Sequence, residues 1–367
     1  MHRGIKITSA GSLLVGKMPK GCSLCVKGAK LVLFVTGLCK RNCYYCPLSE
    51  KRKGKDVVYA NERPVNSLKE IFEEATAMNS LGAGITGGDP SIKLNRAVGY
   101  IKALKKKFGE KYHIHMYACG KLSREELEKL RDAGLDEIRF HDWNAASVKT
   151  AADAGLCAGV EIPAVPHEYQ KIIKLLKDVE KAGGKFANLN ELEFSETNVK
   201  NLMKRGLRFK SEDSAGVKGS EETAIRVMRW AAANTRLNVH YCPSRLKDAV
   251  QLRNRLKRKA KNVAKPHQRI TEDGLLFMGI VTNVPPEALQ KVRKRLIRKY
   301  EIPGEMIVIN WRKKRIEMEW RLAEKIATNE PSLKIAWVEE YPTFDGLETT
   351  VIPLSIVSGD IYYVEKS

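Results

Sequence analysis

The chain has 367 residues, enough for one large α/β domain with a smaller one, or for two medium domains. Its 65 Lys and Arg against 43 Asp and Glu give a formal charge of +22 and a pI near 9.6, which points to a polyanionic partner, nucleic acid first, or to a thermophile's Lys-rich surface. No apolar run approaches the length of a bilayer span and the start lacks a signal-peptide core, so no membrane partner and a cytoplasmic location are expected.

In chain order, residues 1–29 form an extension carrying the pair Cys22 and Cys25. From residue 30 to 244, β-branched runs alternate with amphipathic stretches. Strands are expected at Leu31–Gly37, Gly84–Gly87, Tyr112–Ala118, Glu137–Asp142, Gly159–Val165, Phe186–Phe194 and Leu237–Tyr241. Helices are expected near Ser67–Leu81, Leu94–Phe108, Ser123–Ala133, Ala145–Ala154, His167–Ala182 and Ser220–Ala233, with Ser123 and Glu126 spaced as a capping box. Repeated βα units of this kind predict an α/β fold, a partial TIM-like (β/α) barrel whose chemistry sits where the strands end. Residues 245–270 read as a basic helical linker: Arg245, Lys247, Arg253, Arg255, Lys257, Arg258, Lys259, Lys261, Lys265 and Arg269 face one acid, Asp248. Beyond it, residues 271–367 follow a βαββαβ order, expected to make a ferredoxin-like α+β domain.

Eight cysteines in a reducing compartment are expected as metal ligands, catalytic thiols or small buried side chains rather than disulfides. Cys39, Cys43 and Cys46 share the loop after the first strand, separated by three and then two residues. Three thiolates on one loop can hold three irons of a [4Fe–4S] cubane and leave the fourth open to a small molecule. A structural zinc site is the alternative, although no fourth ligand lies close in sequence.

With Tyr45 before the last cysteine, this CxxxCxxC motif resembles that of the radical S-adenosylmethionine superfamily. The likeness covers Gly21 to Ser244 and is greatest to archaeal proteins related to pyruvate formate-lyase activating enzymes, through Val35-Thr-Gly-Leu-Cys39 and Tyr44-Tyr-Cys46-Pro-Leu-Ser49. It implies that the open iron binds the amino and carboxylate groups of S-adenosyl-L-methionine. An electron, from a donor such as ferredoxin or flavodoxin, then cleaves the sulfonium to a 5′-deoxyadenosyl radical. It also implies that Gly87 and Gly88 approach the cofactor and that Asp89, where the family usually has Glu, meets its ammonium. Asn188, Asn190 and Glu191, at the end of the sixth strand, are further candidate cofactor contacts, and His141 and Asp142 end the fourth.

Cys22 and Cys25 are candidate ligands of a second metal, zinc or an auxiliary cluster, with Cys157 expected at the same barrel end. Cys119 and Cys242 are expected at the opposite, catalytic end, as candidate catalytic thiols or inert ones. The leading expectation for function is modification of RNA, tRNA or rRNA. The basic linker and a hairpin tip at Trp311, Arg312, Lys313, Lys314 and Arg315 would grip the phosphates. The alternative is a radical enzyme acting on a protein, as an activase does, or on a small metabolite.

Overall fold

Alternation along each barrel strand decides which side chains face the helices and which face inward, because successive residues of a strand point to opposite faces. In the third strand Ile114 and Met116 join the core beneath the helices, while His115 and Tyr117 point to the barrel interior. Val160 and Ile162 flank inward Glu161 in the same way, and Leu189 lies between inward Asn188 and Asn190. The barrel thus has an apolar outer core and a polar lumen.

The computed structural model describes residues 3–354, the side chain of Asp248 excepted. Seven strands lie side by side and parallel: Lys30–Thr36, Gly82–Gly87, His113–Ala118, Glu137–Phe140, Cys157–Ala164, Phe186–Glu191 and Asn238–Cys242. The sheet does not close. Its first strand pairs antiparallel with Tyr59–Ala60 and its seventh with Leu13–Val15, part of an N-terminal hairpin that the sequence reading did not foresee. Helices Leu68–Ala77, Leu94–Phe108, Arg124–Asp132, Ala146–Asp153, Tyr169–Lys181 and Ser220–Asn234 follow the strands. Both Ser67 with Glu70 and Ser123 with Glu126 form reciprocal capping boxes, which satisfy backbone donors left open at a helix start.

The chain divides between Arg255 and Leu256 into two compact units. In the second, strands Leu276–Val281, Ile307–Asn310, Arg315–Met318 and Ile335–Glu340 alternate with helices Leu289–Tyr300 and Trp320–Asn329. They lie in the order second, third, first, fourth, all antiparallel, which is the ferredoxin-like arrangement, and Glu348–Pro353 adds an edge strand. Residues 355–367 of the expected domain lie outside the described residues.

The basic stretch differs from the one basic helix expected. It comprises a short helix Ser244–Leu246, a π-helical turn Lys247–Leu252 and a helix Arg253–Val263. Its charges are not all free: Lys247 pairs with Glu193, Arg255 with Glu62, and Lys259 is buried. The hairpin tip is likewise drawn inward. Lys313 binds Glu340 and Glu348, Arg315 is buried against Glu317, Glu340 and Glu348, and Arg312 donates to the carbonyls of Phe344 and Asp345. Trp311 and Lys314 remain exposed. Except for Glu317, these partners are distant in sequence, so a count of local charge could not reveal them. No helix among the described residues is long and apolar enough to cross a membrane.

Candidate active site at the mouth of the barrel

The loop after the first strand is set by close backbone packing. A Cβ on Gly37 would lie 1.7 Å from the carbonyl oxygen of Arg52, and the Gly37 amide donates to Lys55 O at 2.8 Å. Further on, the Cys46 amide donates to Cys43 O at 3.0 Å. Two residues from after the sixth strand hold this turn: Asn198 Nδ2 donates to Tyr45 O at 3.1 Å and Thr197 Oγ1 to Cys46 O at 3.2 Å.

A chain of hydrogen bonds fixes the Tyr45 ring. His141 Nδ1 lies 2.9 Å from Glu161 O, a carbonyl that can only accept, so Nδ1 carries the proton and Nε2 is left to accept. Tyr45 OH, 3.1 Å from Nε2, is therefore the donor there, and it accepts from Trp143 Nε1 at 3.4 Å. Burial lowers the His141 pKa, in keeping with a neutral ring, and burial raises that of Tyr45.

The Gly87–Gly88 turn lies flush against the cysteine loop. Gly88 N–H donates to Thr36 O and Asp89 N–H to Leu38 O, both at 2.8 Å, and a Cβ on Gly88 would lie 2.5 Å from Leu38 O. Cys39, Cys43, Cys46, Tyr45, Gly87, Gly88, His141, Glu161 and Asn190 all line one cavity of about 570 Å³.

Among the described residues, no three Cys, His, Asp or Glu side chains close on one ion-sized point. A cubane asks for something else: each thiolate binds a different iron, so three thiols spread around a cavity suit it better than a zinc ion needing four convergent ligands. The donor set and the cavity fit a cluster with a small molecule beside it. Burial raises the pKa of the Cys43 thiol, a cost that binding to iron as thiolate would offset.

Asp89 stands apart from this cavity. Its Oδ1 accepts from Ser91 N at 3.1 Å and Ser91 Oγ at 2.6 Å, capping the turn Pro90–Lys93, and its carboxylate lines a neighbouring cavity with Lys40, Arg41 and Cys119. Arg41 spans the rim, pairing with Asp142 at 2.8 Å and donating to Cys119 O at 2.9 Å. Cys119 Sγ lies 3.4 Å from Gly88 O and faces both cavities; burial raises its pKa.

Deeper in the lumen, Glu161 collects Arg139 Nη1 at 2.7 Å, Asn188 Nδ2 at 2.9 Å, Asn190 Nδ2 at 3.0 Å and Tyr117 OH at 3.2 Å. Burial alone would raise the Glu161 carboxyl, but Arg139 and the two amides bring it down to about 2. Asn190 borders the cysteine cavity, whereas Asn188 borders only the chamber below it. Glu191 turns elsewhere, accepting from Ser244 N at 2.8 Å and Ser244 Oγ at 3.0 Å.

The second metal expected at Cys22 and Cys25 is not assembled among the described residues. Both thiols lie on the helix Lys20–Val26 and face the interior chamber, whereas Cys157 is exposed at the start of the fifth strand. Cys22 Sγ instead accepts from Asn188 Nδ2 at 3.3 Å and Arg139 at 3.5 Å, and burial pushes its thiol up to about 12. Cys242, buried at the end of the seventh strand, faces this same chamber.

Asn198, Thr197, Arg41, Tyr117 and Glu161 were not singled out as site residues by sequence. For Tyr117 and Glu161 a signal existed, since polar residues alternating with apolar ones inside βα-pattern strands mark a polar lumen. No comparable pattern marks Asn198, whose role depends on a loop folding back.

Residues 33–190 match the model of the radical SAM superfamily, and residues 274–354 match a domain of unknown function. With the full-length likeness below, the chain belongs to the radical S-adenosylmethionine superfamily, whose enzymes use a [4Fe–4S] cluster and S-adenosylmethionine. It is 45% identical over 354 residues to a Methanocaldococcus jannaschii protein named as a glycyl-radical enzyme activating enzyme, covering 92% of this chain and 93% of that one. Among solved structures, methylornithine synthase is 15% identical with a TM-score of 0.40, covering 58% of this chain and 69% of that one. The FeFe-hydrogenase maturase of Carboxydothermus hydrogenoformans is 17% identical with a TM-score of 0.36, covering 46% of each.

Proposed function

We propose that Cys39, Cys43 and Cys46 ligate the cluster and that Gly87, Gly88, Tyr45 and Asn190 border the bound S-adenosylmethionine, so that a radical made there removes a hydrogen atom from an organic substrate. When bound and reduced by a ferredoxin- or flavodoxin-type donor, the cluster supplies the electron that cleaves the sulfonium. The residues of the chain do the rest. Asn198 and Thr197 fix the turn that carries Tyr45 and Cys46, and the Gly87–Gly88 turn keeps side chains out of the space beside it. His141 and Trp143 hold Tyr45 in one orientation, which pre-sets the wall of the site at no cost when the cofactor enters.

The single observation carrying this reading is that three thiols of one loop and a glycine turn pinned to that loop share one cavity. Anaerobic reconstitution tests it: with dithionite, the protein should convert S-adenosylmethionine to 5′-deoxyadenosine and methionine, and Cys43→Ala should not. Equal product from both would end the proposal.

A protein substrate is supported by the name of the Methanocaldococcus jannaschii relative. RNA has less support, because Lys247, Arg255, Lys313 and Arg315 are held by acids of the chain itself. Deletion of the gene followed by mass spectrometry of cellular tRNA and rRNA separates these readings; a lost modification would favour RNA.

A further inference from the structure

Below the cysteine cavity lies a second chamber of about 240 Å³ inside the barrel. The two share four wall residues, Thr86, Tyr117, Glu161 and Asn190, so whatever fills the lower chamber adjoins the upper cavity. Its remaining walls include Cys22 and Cys25 from the helix Lys20–Val26 and Lys247 and Gln251 from the π-helical turn. At about 30 Å³ of liquid per water molecule, the space equals roughly eight waters, the size of a small metabolite.

Its polar groups are incompletely satisfied. Asn188 Oδ1 and His240 Nδ1 are buried and have no hydrogen-bond partner among the described residues, although Asn188 Nδ2 and His240 Nε2 are both engaged, the latter with Ser12 Oγ at 3.0 Å. An unmade hydrogen bond on a buried group is costly, and such groups in a lumen mark the place of a ligand. Lys30 is the third element. Its Nζ lies 2.5 Å from His115 Nδ1 and 3.2 Å from His113 Nδ1, yet among the described residues no carboxylate pairs with it. Arg139 and Lys247, the other cations of the wall, each have their own glutamate. Lys30 is thus a buried cation with no ion-pair partner among the described residues, Glu137 acting on it only from a distance; burial drives its pKa down to about 7, which an anion would reverse.

We propose that this chamber takes a small organic carboxylate, its anionic group against Lys30 and a hydrogen-bond donor against Asn188 Oδ1, and presents one of its C–H bonds to the cavity above. The proposal rests on the preceding reading of the upper cavity. The step is a hydrogen-atom transfer: one C–H bond of the substrate breaks, the atom ends on the 5′ carbon of 5′-deoxyadenosine, and the unpaired electron stays on the substrate carbon. A chamber of this volume holds a small molecule and not a folded macromolecule.

The test uses the reconstituted full-length enzyme with dithionite and unlabelled S-adenosylmethionine, together with fractions of an extract from cells grown in deuterated medium. These are small anions below about 1 kDa, total protein and total RNA, and deuterium in 5′-deoxyadenosine is read by mass spectrometry. The label should appear with the small anions and fall at least tenfold in Lys30→Met and in Cys242→Phe, which fills the chamber. In cluster-free protein, the anion fraction should also slow hydrogen exchange of the Lys20–Val26 helix in the wild type and not in Lys30→Met. Lys30→Met removes a buried cation but also the donor to His113 and His115, so its circular dichroism and its thermal midpoint without the anion fraction are compared with the wild type, which distinguishes lost binding from misfolding.

Label arriving only from protein or RNA, label from none of the three fractions, or undiminished transfer by Lys30→Met overturns the proposal. Formation of 5′-deoxyadenosine without label overturns the chamber alone and leaves the upper cavity's reading standing. No 5′-deoxyadenosine at all overturns both.

Discussion

Glu161→Gln tests whether the lumen is held together by its buried ion network. In the folded chain the Glu161 carboxyl titrates at about 2, against 4.5 for the free side chain, chiefly because Arg139 lies beside it and opposes the effect of burial. A folded pKa below the unfolded one means that the charged form is the stabilising one. The contribution is fully present above about pH 4.5 and is lost as the pH falls toward 2. At about 1.4 kcal/mol for each tenfold change, it amounts to roughly 3 kcal/mol at neutral pH. Gln keeps the shape and one acceptor but leaves the buried Arg139 with Glu137 alone. Removal of one partner of a buried pair costs a similar amount, about 3 kcal/mol. Hydrogen exchange of the fifth and sixth strands in urea measures it locally. At pH 7 the variant should lose protection at a urea concentration lower by about 1 M, and the gap should narrow to about half by pH 3. Equal protection at pH 7, or a gap that does not change with pH, would refute the reasoning.

Asn198→Ala removes the donor to Tyr45 O and the acceptor for Ser195 N, both in a buried setting, and should lower reconstituted iron content without unfolding the barrel. Iron analysis beside circular dichroism checks this, and full iron occupancy would clear Asn198 of holding the loop. Asp89→Ala should cost about 1 kcal/mol through loss of the cap on Pro90–Lys93 and leave iron content at the wild-type level. Lys261→Glu, at an exposed position, should leave stability within about 0.5 kcal/mol of wild type, whereas Arg255→Glu should destabilise by more than 1 kcal/mol by facing Glu62 with a like charge. Urea midpoints compare them, and equal losses would show that the Arg255–Glu62 pair contributes nothing.

Much of this molecule was legible in the chain itself. Period-two runs separated by amphipathic helices specify the parallel barrel, because each strand must bury an apolar face against a helix and only that order of elements does so for all seven. The Cys39, Cys43 and Cys46 spacing, with the Gly87–Gly88 turn one strand later, carried the likeness to the family that the chain proved to belong to, since those residues lie on local turns whose geometry is set within a few positions. What the sequence left open depends on partners far away along the chain. Lys313 and Arg315 read as a phosphate-binding tip until Glu340 and Glu348 arrive on strands further along the same sheet. Cys22 and Cys25 read as a metal pair from spacing alone, and only the fold shows that their helix turns both thiols into the lumen, where Cys22 meets Arg139 and Asn188. Asn198, Glu161 and Lys30 take their meaning from a loop folding back, from Arg139 on the adjoining strand, and from the lack of a carboxylate paired with Lys30 among the described residues. Local spacing determines turns and ligand sets; only the tertiary structure decides which charges meet a partner, because desolvation and pairing are properties of the folded interior and not of the segment.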